Sequence, residues 1–217
     1  MRARNCRLTS LIAIAGAVAL LPIAASAASS LDDLPETGPE AMAYFEGNAD
    51  VWLEGPVDYL ILDDERKLFK SLSTTAERAD FIAEFWDLRD QTPKLAGNEF
   101  KRLFYERVAM ANDRYNDFPR GWKSDRGYIH IVLGRPDHIR PGFGRADTAV
   151  WTYLTMGEEG SKRGFSSASG RVAIAFVRIP ARSSYRIYGG FGGPGFLPLY
   201  VRYAVEFAKE AAVVSTD

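Results

Sequence analysis

Between residues 124 and 138 lie a hydroxyl (Ser124), two carboxylates (Asp125 and Asp137) and the two histidines of the chain (His130 and His138). A carboxylate pair sharing one water would make an acid site for hydrolysis. The spacing works against that. Asp125 and Asp137 flank a strand-like run, and at ~3.3 Å per residue an extended run of that length puts its ends tens of ångströms apart. Asp125 is better suited to accept hydrogen bonds from its own turn, or to pair with Arg126 or Arg89. His130, between apolar neighbours, reads as a core histidine, and His138 as a loop residue at the solvent. His130, His138 and Asp137 match no metal-ligand spacing, so neither a metal nor a cofactor is expected. There is no Gly-x-Ser-x-Gly elbow, and the run Gly189–Gly195 lacks the Lys-Ser/Thr ending of a phosphate loop. No catalytic set emerges.

The elements around these residues read as turn, strand, turn. Gly121 and Gly127 bracket a tight excursion that contains Trp122, Ser124, Asp125 and Arg126. Tyr128 to Leu133 alternates in the period of a strand with both faces largely apolar. Gly134-Arg135-Pro136-Asp137 then ends the strand, because proline donates no ladder bond. On this reading Trp122 is a packing wedge, Ser124 and Asp125 bond the turn, and Arg126 is an ion-pair partner.

Gly121-Trp122-Lys123-Ser124-Asp125 resembles the signature of the GWxTD domain family of exported bacterial proteins, with Ser124 where that signature has Thr. Arg126-Gly127 and Gly134-Arg135-Pro136-Asp137 continue the resemblance. So do Phe85-Trp86, Arg89-Asp90, Thr92-Pro93, Asn98-Glu99, Tyr105, Arg107 and Ala111-Asn112. It spans about residues 57 to 155. The family is defined by sequence, so the resemblance implies export and a domain type but no reaction.

The N-terminus reads as a signal peptide over residues 1–27. Arg2, Arg4 and Arg7 precede an apolar run from Leu8 to Ile23, and Ala25-Ser26-Ala27 fits cleavage after Ala27. Cys6, the chain's one cysteine, leaves with it. No stable membrane span remains after cleavage. The signal carries three bases and no acid, leaving 24 bases against 28 acids, a charge of −4, on 190 residues. That balance opposes general nucleic-acid binding. Residues 28–55 read as a linker or loosely docked arm, pinned by Phe45, Val51 and Trp52. Leu34-Pro35-Glu36-Thr37-Gly38 matches a sorting pentapeptide but lies just after a signal, not ahead of an apolar stretch and basic tail, and so reads as coincidence.

Residues 56–212 read as one α+β domain, with 213–217 as a tail. Asp63 or Asp64 caps a helix through Leu72. Thr74-Thr75-Ala76-Glu77 is a capping box for a second helix, and Asn98 caps a third that runs to Tyr115. Residues 138–148 and 156–170 read as loops. Strands are expected at Ala149–Leu154, Arg171–Ile179 and Tyr185–Tyr188, connected as an antiparallel meander. A possible C-terminal helix over 199–212 would share Leu199, Tyr203, Phe207 and Ala211 on one face. Helices before strands give N-terminal helices packed on an antiparallel sheet. Tyr128, Trp151 and Tyr153 could line an aromatic groove for an envelope protein, peptide or glycan. The function expected is an exported, non-catalytic binding or assembly module of the bacterial envelope or secreted space. The alternative is a hydrolase with its acid site at Asp125 or Asp137.

Overall fold

Local capping chemistry sets most helix starts. Thr37 accepts the N–H of Glu40 while the Glu40 carboxylate accepts the N–H of Thr37, opening α1 (Gly38–Glu46). Short 3₁₀ turns at Ala49–Glu54 and Pro56–Tyr59 lead to α2 (Asp63–Ser71). Its cap is not an aspartate side chain: the Glu65 carboxylate reaches back to the N–H of Leu62. The Thr74–Glu77 box starts α3 (Thr75–Asp87), and Asn98 starts α4 (Glu99–Arg114) by accepting the N–H of Lys101. The sequence expects the Thr74 and Asn98 caps, and both form. This computed structural model describes residues 34–90, 97–115, 119, 121–142, 147–154, 171–179, 184–188 and 197–213. The signal segment, the 156–170 loop, the Gly189–Gly195 run and tail residues 214–217 fall outside them.

After α4 comes a 3₁₀ turn (Gly121–Lys123), then α5 (Asp125–Leu133). Four strands follow: β1 (His138–Pro141), β2 (Thr148–Tyr153), β3 (Val172–Ile179) and β4 (Ser184–Ile187). They pair antiparallel in the order β1-β2-β3-β4, a meander. α6 (Leu199–Ala212) closes the described chain. The α+β class, the meander and the last helix agree with the sequence. No helix among the described residues is long and apolar enough to cross a membrane.

Four local expectations need correction. First, Tyr128 to Leu133 is not a strand but the body of α5. Seven of its nine residues are buried, from Asp125 to Val132 with only Arg126 excepted, because α5 packs against α4, α6 and β4 together. A short helix apolar on every side carries the same composition as a buried strand. Second, the sheet instead begins at His138, inside the expected 138–148 loop. Third, residues 34–54 are part of the fold, not a linker or loosely docked arm. α1 packs on α4, Ala41 and Trp52 are buried, and the Pro35 carbonyl accepts the Asn112 amide at 2.8 Å. Phe45 packs on this core, but Val51 is exposed. Fourth, α6 buries Val201, Ala204, Val205 and Ala212, while Leu199 and Tyr203 stay exposed.

Two aromatic clusters fill the interior. Trp52 meets Phe69 and Phe85 at 5.4 and 5.0 Å between ring centroids. Trp151 packs at a tilt between Tyr115 and Phe176 under the sheet.

Candidate functional site

Gly121 through Gly127 form a helix-start device. Ser124 is the N-cap of α5: its Oγ donates to the Gly121 carbonyl at 2.8 Å and accepts the Gly127 N–H at 2.9 Å. Gly121 has φ +59°, and a Cβ there would lie 2.4 Å from Asn112 Oδ1. That same oxygen accepts the Trp122 N–H at 3.0 Å, so Asn112 ties the turn to α4 and, through Pro35, to the start of the fold. Trp122 is buried against Phe45 and Tyr59, as a wedge should be.

Asp125 occupies the first turn of α5, where the helix dipole favours a negative charge. It is only 8% exposed. Oδ1 accepts from Arg186 Nη1 and Oδ2 from the backbone N–H of Ile187, each at 2.9 Å. The carboxylate therefore docks α5 onto β4, the outer strand of the sheet. The expected ion pair with Arg126 or Arg89 is made with Arg186 instead. Arg89 is fully buried on Glu65, with its guanidinium over the Phe85 ring. Arg126 lies over the rings of Tyr185 and Tyr115, at 4.1 and 5.1 Å from their centres.

Gly134 (φ +78°) ends α5, its N–H donating to the His130 carbonyl at 2.9 Å. Pro136 is buried at the exit. Asp137 is exposed and accepts the Leu154 N–H at 2.7 Å, closing the β1–β2 end. Asp125 and Asp137 thus serve opposite ends of α5 and do not meet. His130 is buried in α5 and His138 exposed on β1, so the two histidines form no common site. Among the described residues no three His, Cys, Asp or Glu side chains gather as a metal site.

The expected aromatic binding surface is not a surface. Tyr128, Trp151 and Tyr153 are all buried, because α5 and α6 cover the face of the sheet from which Trp151 and Tyr153 project.

Glu46, at the end of α1, has no counterpart in the sequence reading. Its Oε1 accepts Trp52 Nε1 (3.0 Å), Trp86 Nε1 (3.0 Å) and the Tyr105 hydroxyl (2.5 Å), and its Oε2 accepts Lys101 Nζ (2.6 Å). Burial and this carboxylate push the Tyr105 phenol far above its usual range. Sequence carries no local signal for the cluster, because its donors lie 6 to 59 residues away.

His130 is 3% exposed, and neither ring nitrogen has a hydrogen-bond partner among the described residues. Tyr115 packs against its ring at 5.9 Å between centres. Burial, with Arg107 and Arg114 nearby, lowers its pKa to about 4; the Gly134 backbone offsets little of this. As pH falls below 6.5 an unfolded His130 takes up a proton that the folded one refuses until about pH 4. Stability on this account is level above pH 6.5 and falls through that window by on the order of 3 kcal/mol. Denaturant titrations at pH 7 and 4.5 check it. His130→Leu should lose much less between the two pH values than wild type does; equal losses would refute the assignment.

A groove of about 240 Å³ opens between α4, α5 and α6. Its walls include Leu103, Ile131, Leu133 and Ala211, with Arg107 as the one charged side chain lining it. It combines apolar walls with a single charged anchor, the general make-up of a small-molecule site.

The sequence model of the GWxTD domain matches residues 43–172. No curated protein and no solved structure matches the chain.

Proposed function

The chain belongs to the GWxTD domain family, and from that premise we propose that it is an exported, non-catalytic binding or assembly module of the bacterial envelope or secreted space. The observation that carries this reading is the Asp125 carboxylate. It is buried, with one oxygen on Ile187 N–H and the other on Arg186, and has no open face for a substrate. The signature residues hold a helix start against an outer strand, so the chemistry of the domain lies in what its surface binds. The partner expected from the sequence is an unknown protein, peptide or glycan of the envelope. The N-terminal basic residues, apolar run and Ala25-Ser26-Ala27 support export.

The test pairs stability with activity. Asp125→Asn should cost about 1–3 kcal/mol, because Arg186 loses its charged acceptor and the amide offers an N–H where Ile187 needs an oxygen. In a domain of this size that is a fall of several degrees in Tm. Wild type, Asp125→Asn and Asp137→Asn are then run on chromogenic ester, peptide, glycoside and phosphate substrates. No turnover that depends on either acid is expected. A hydrolytic rate that disappears in Asp137→Asn or Asp125→Asn, with Asp125→Asn as stable as wild type, would replace this reading with the hydrolase. Mass spectrometry of the exported protein should find Ala28 at its N-terminus.

A further inference from the structure

Arg107 sits half-buried in the wall of the α4–α5–α6 groove. Its Nη1 donates to the Ile131 carbonyl at 3.2 Å, as a base near a helix C-terminus does. That uses one of the five guanidinium N–H donors. Among the described residues no carboxylate lies within ion-pair distance of it, although Glu65, Glu46 and Asp125 each hold a cation elsewhere in the fold. None of the Arg107 nitrogens is among the fully buried, unpartnered polar atoms of the described residues. Burial works against the charge, so an anion brought to it would meet a cation that water only partly satisfies.

We propose that this groove binds a medium-length, unbranched acyl carboxylate, with its tail along Leu103, Phe104, Ile131, Leu133, Ala208 and Ala211 and its carboxylate on Arg107. Charge complementarity selects the head group: two oxygens suit the planar fork of a guanidinium. The walls select the tail. A peptide laid here would bring backbone N–H and C=O groups against Leu, Ile, Phe and Ala side chains, where they lack partners and burial is costly. An acyl chain brings none. Size agrees: a groove of about 240 Å³ has room for a short unbranched chain. The proposal rests on the reading of the chain as a binding module and names one ligand class for it.

The experiment is an NMR titration of the purified full chain with octanoate, alongside octanol, octyltrimethylammonium and acetate. Saturable octanoate binding is expected, with shifts at the methyls of Leu103, Ile131 and Leu133. Octanol, octyltrimethylammonium and acetate should each bind at least about tenfold more weakly, as should octanoate to Arg107→Gln. Octanoate should also raise the titration midpoint of His130, because it neutralises one of the two guanidinium charges that add to burial in holding that ring neutral. Ala211→Trp fills the groove from an exposed helix position, so it should abolish binding while melting like wild type; it stands in if Arg107→Gln does not fold. Equal binding of octanol and octanoate, shifts outside the groove, or unimpaired binding to Ala211→Trp would each overturn the proposal. An apolar peptide with a free C-terminal carboxylate that binds the groove when octanoate does not also overturns this ligand class, but leaves the binding-module reading in place. That broader reading stands or falls on the Asp125 and Asp137 variants.

Discussion

Replacing Glu46 by alanine should be the most damaging single side-chain deletion in the domain. The substitution removes one carboxylate and strands four donors: the indoles of Trp52 and Trp86, the phenol of Tyr105 and the ammonium of Lys101. Breaking a largely buried charge pair from one side costs about 3–5 kcal/mol, since the other charge stays in a poor solvent. The indoles and phenol cannot easily turn to water, because Trp52, Trp86 and Tyr105 are each at most 2% exposed. A loss near the top of that range would lower Tm by about 10 °C or more in a domain of this size. Glu46→Gln should fall between, because it keeps one acceptor oxygen and turns an N–H toward donors. Glu99→Ala is the control: its bridge to Arg102 is exposed, and such pairs contribute ~0–1 kcal/mol. Calorimetry of the three variants decides the matter. A loss of under about 2 °C for Glu46→Ala would mean that the cluster is dispensable.

Gly127→Ala carries the second large effect, and its sign runs against intuition. Inside an ordinary helix, alanine in place of glycine stabilises by about 1 kcal/mol. Here a Cβ would lie 2.2 Å from the Gly121 carbonyl oxygen and 3.0 Å from Ser124 Oγ. The first of these atoms is backbone and the second is the N-cap, so neither can yield without undoing the start of α5. We expect a loss of about 2–4 kcal/mol, as for overpacking with a displaced cap. Gly97→Ala is the comparison. Its φ is +85° but nothing lies within 4 Å of the added carbon, so only the backbone strain of about 1 kcal/mol remains. Chemical denaturation of both variants separates the terms. A Gly127→Ala protein as stable as wild type would show that the turn relaxes.

Gly121 and Gly127 explain why the signature was legible as a turn, and α5 why its continuation was not. Ser124 and the glycines act within six residues, a range at which side-chain type alone points to a cap or a tight bend. Thr74 and Asn98 were legible for the same reason. β2, β3 and β4 were legible, β3 from its alternation: Val172, Ile174 and Phe176 face the core. In α5, Tyr128, Ile129, His130, Ile131 and Val132 are all buried, so no polar face marks the helical period. Only knowing that α4, α6 and β4 surround it distinguishes helix from strand. The partners of Asp125, Asn112 and Glu46 were illegible on another ground. Arg186 and Ile187 lie 61 and 62 residues from Asp125, and Pro35 lies 77 from Asn112. Arg107 entered the sequence reading through the family resemblance and not as a binding residue, because nothing local shows that α6 comes to line the same groove.

The seat of Asp125 on β4 also sets a timetable. The residues that hold this carboxylate emerge about 62 positions after it, and beyond the matched segment, which stops at residue 172. At about 5–20 residues per second, a chain that appears from its N-terminus waits roughly 3–12 s between the cap and its strand. During that interval α5 can start on Ser124 and pack on α4, yet the faces that meet β4 and α6 stay open. Closing so long a loop is an entropic step that local structure cannot hasten. The domain is thus built to finish late: the burial of residues 128–133 is complete only once β4 and α6 have emerged.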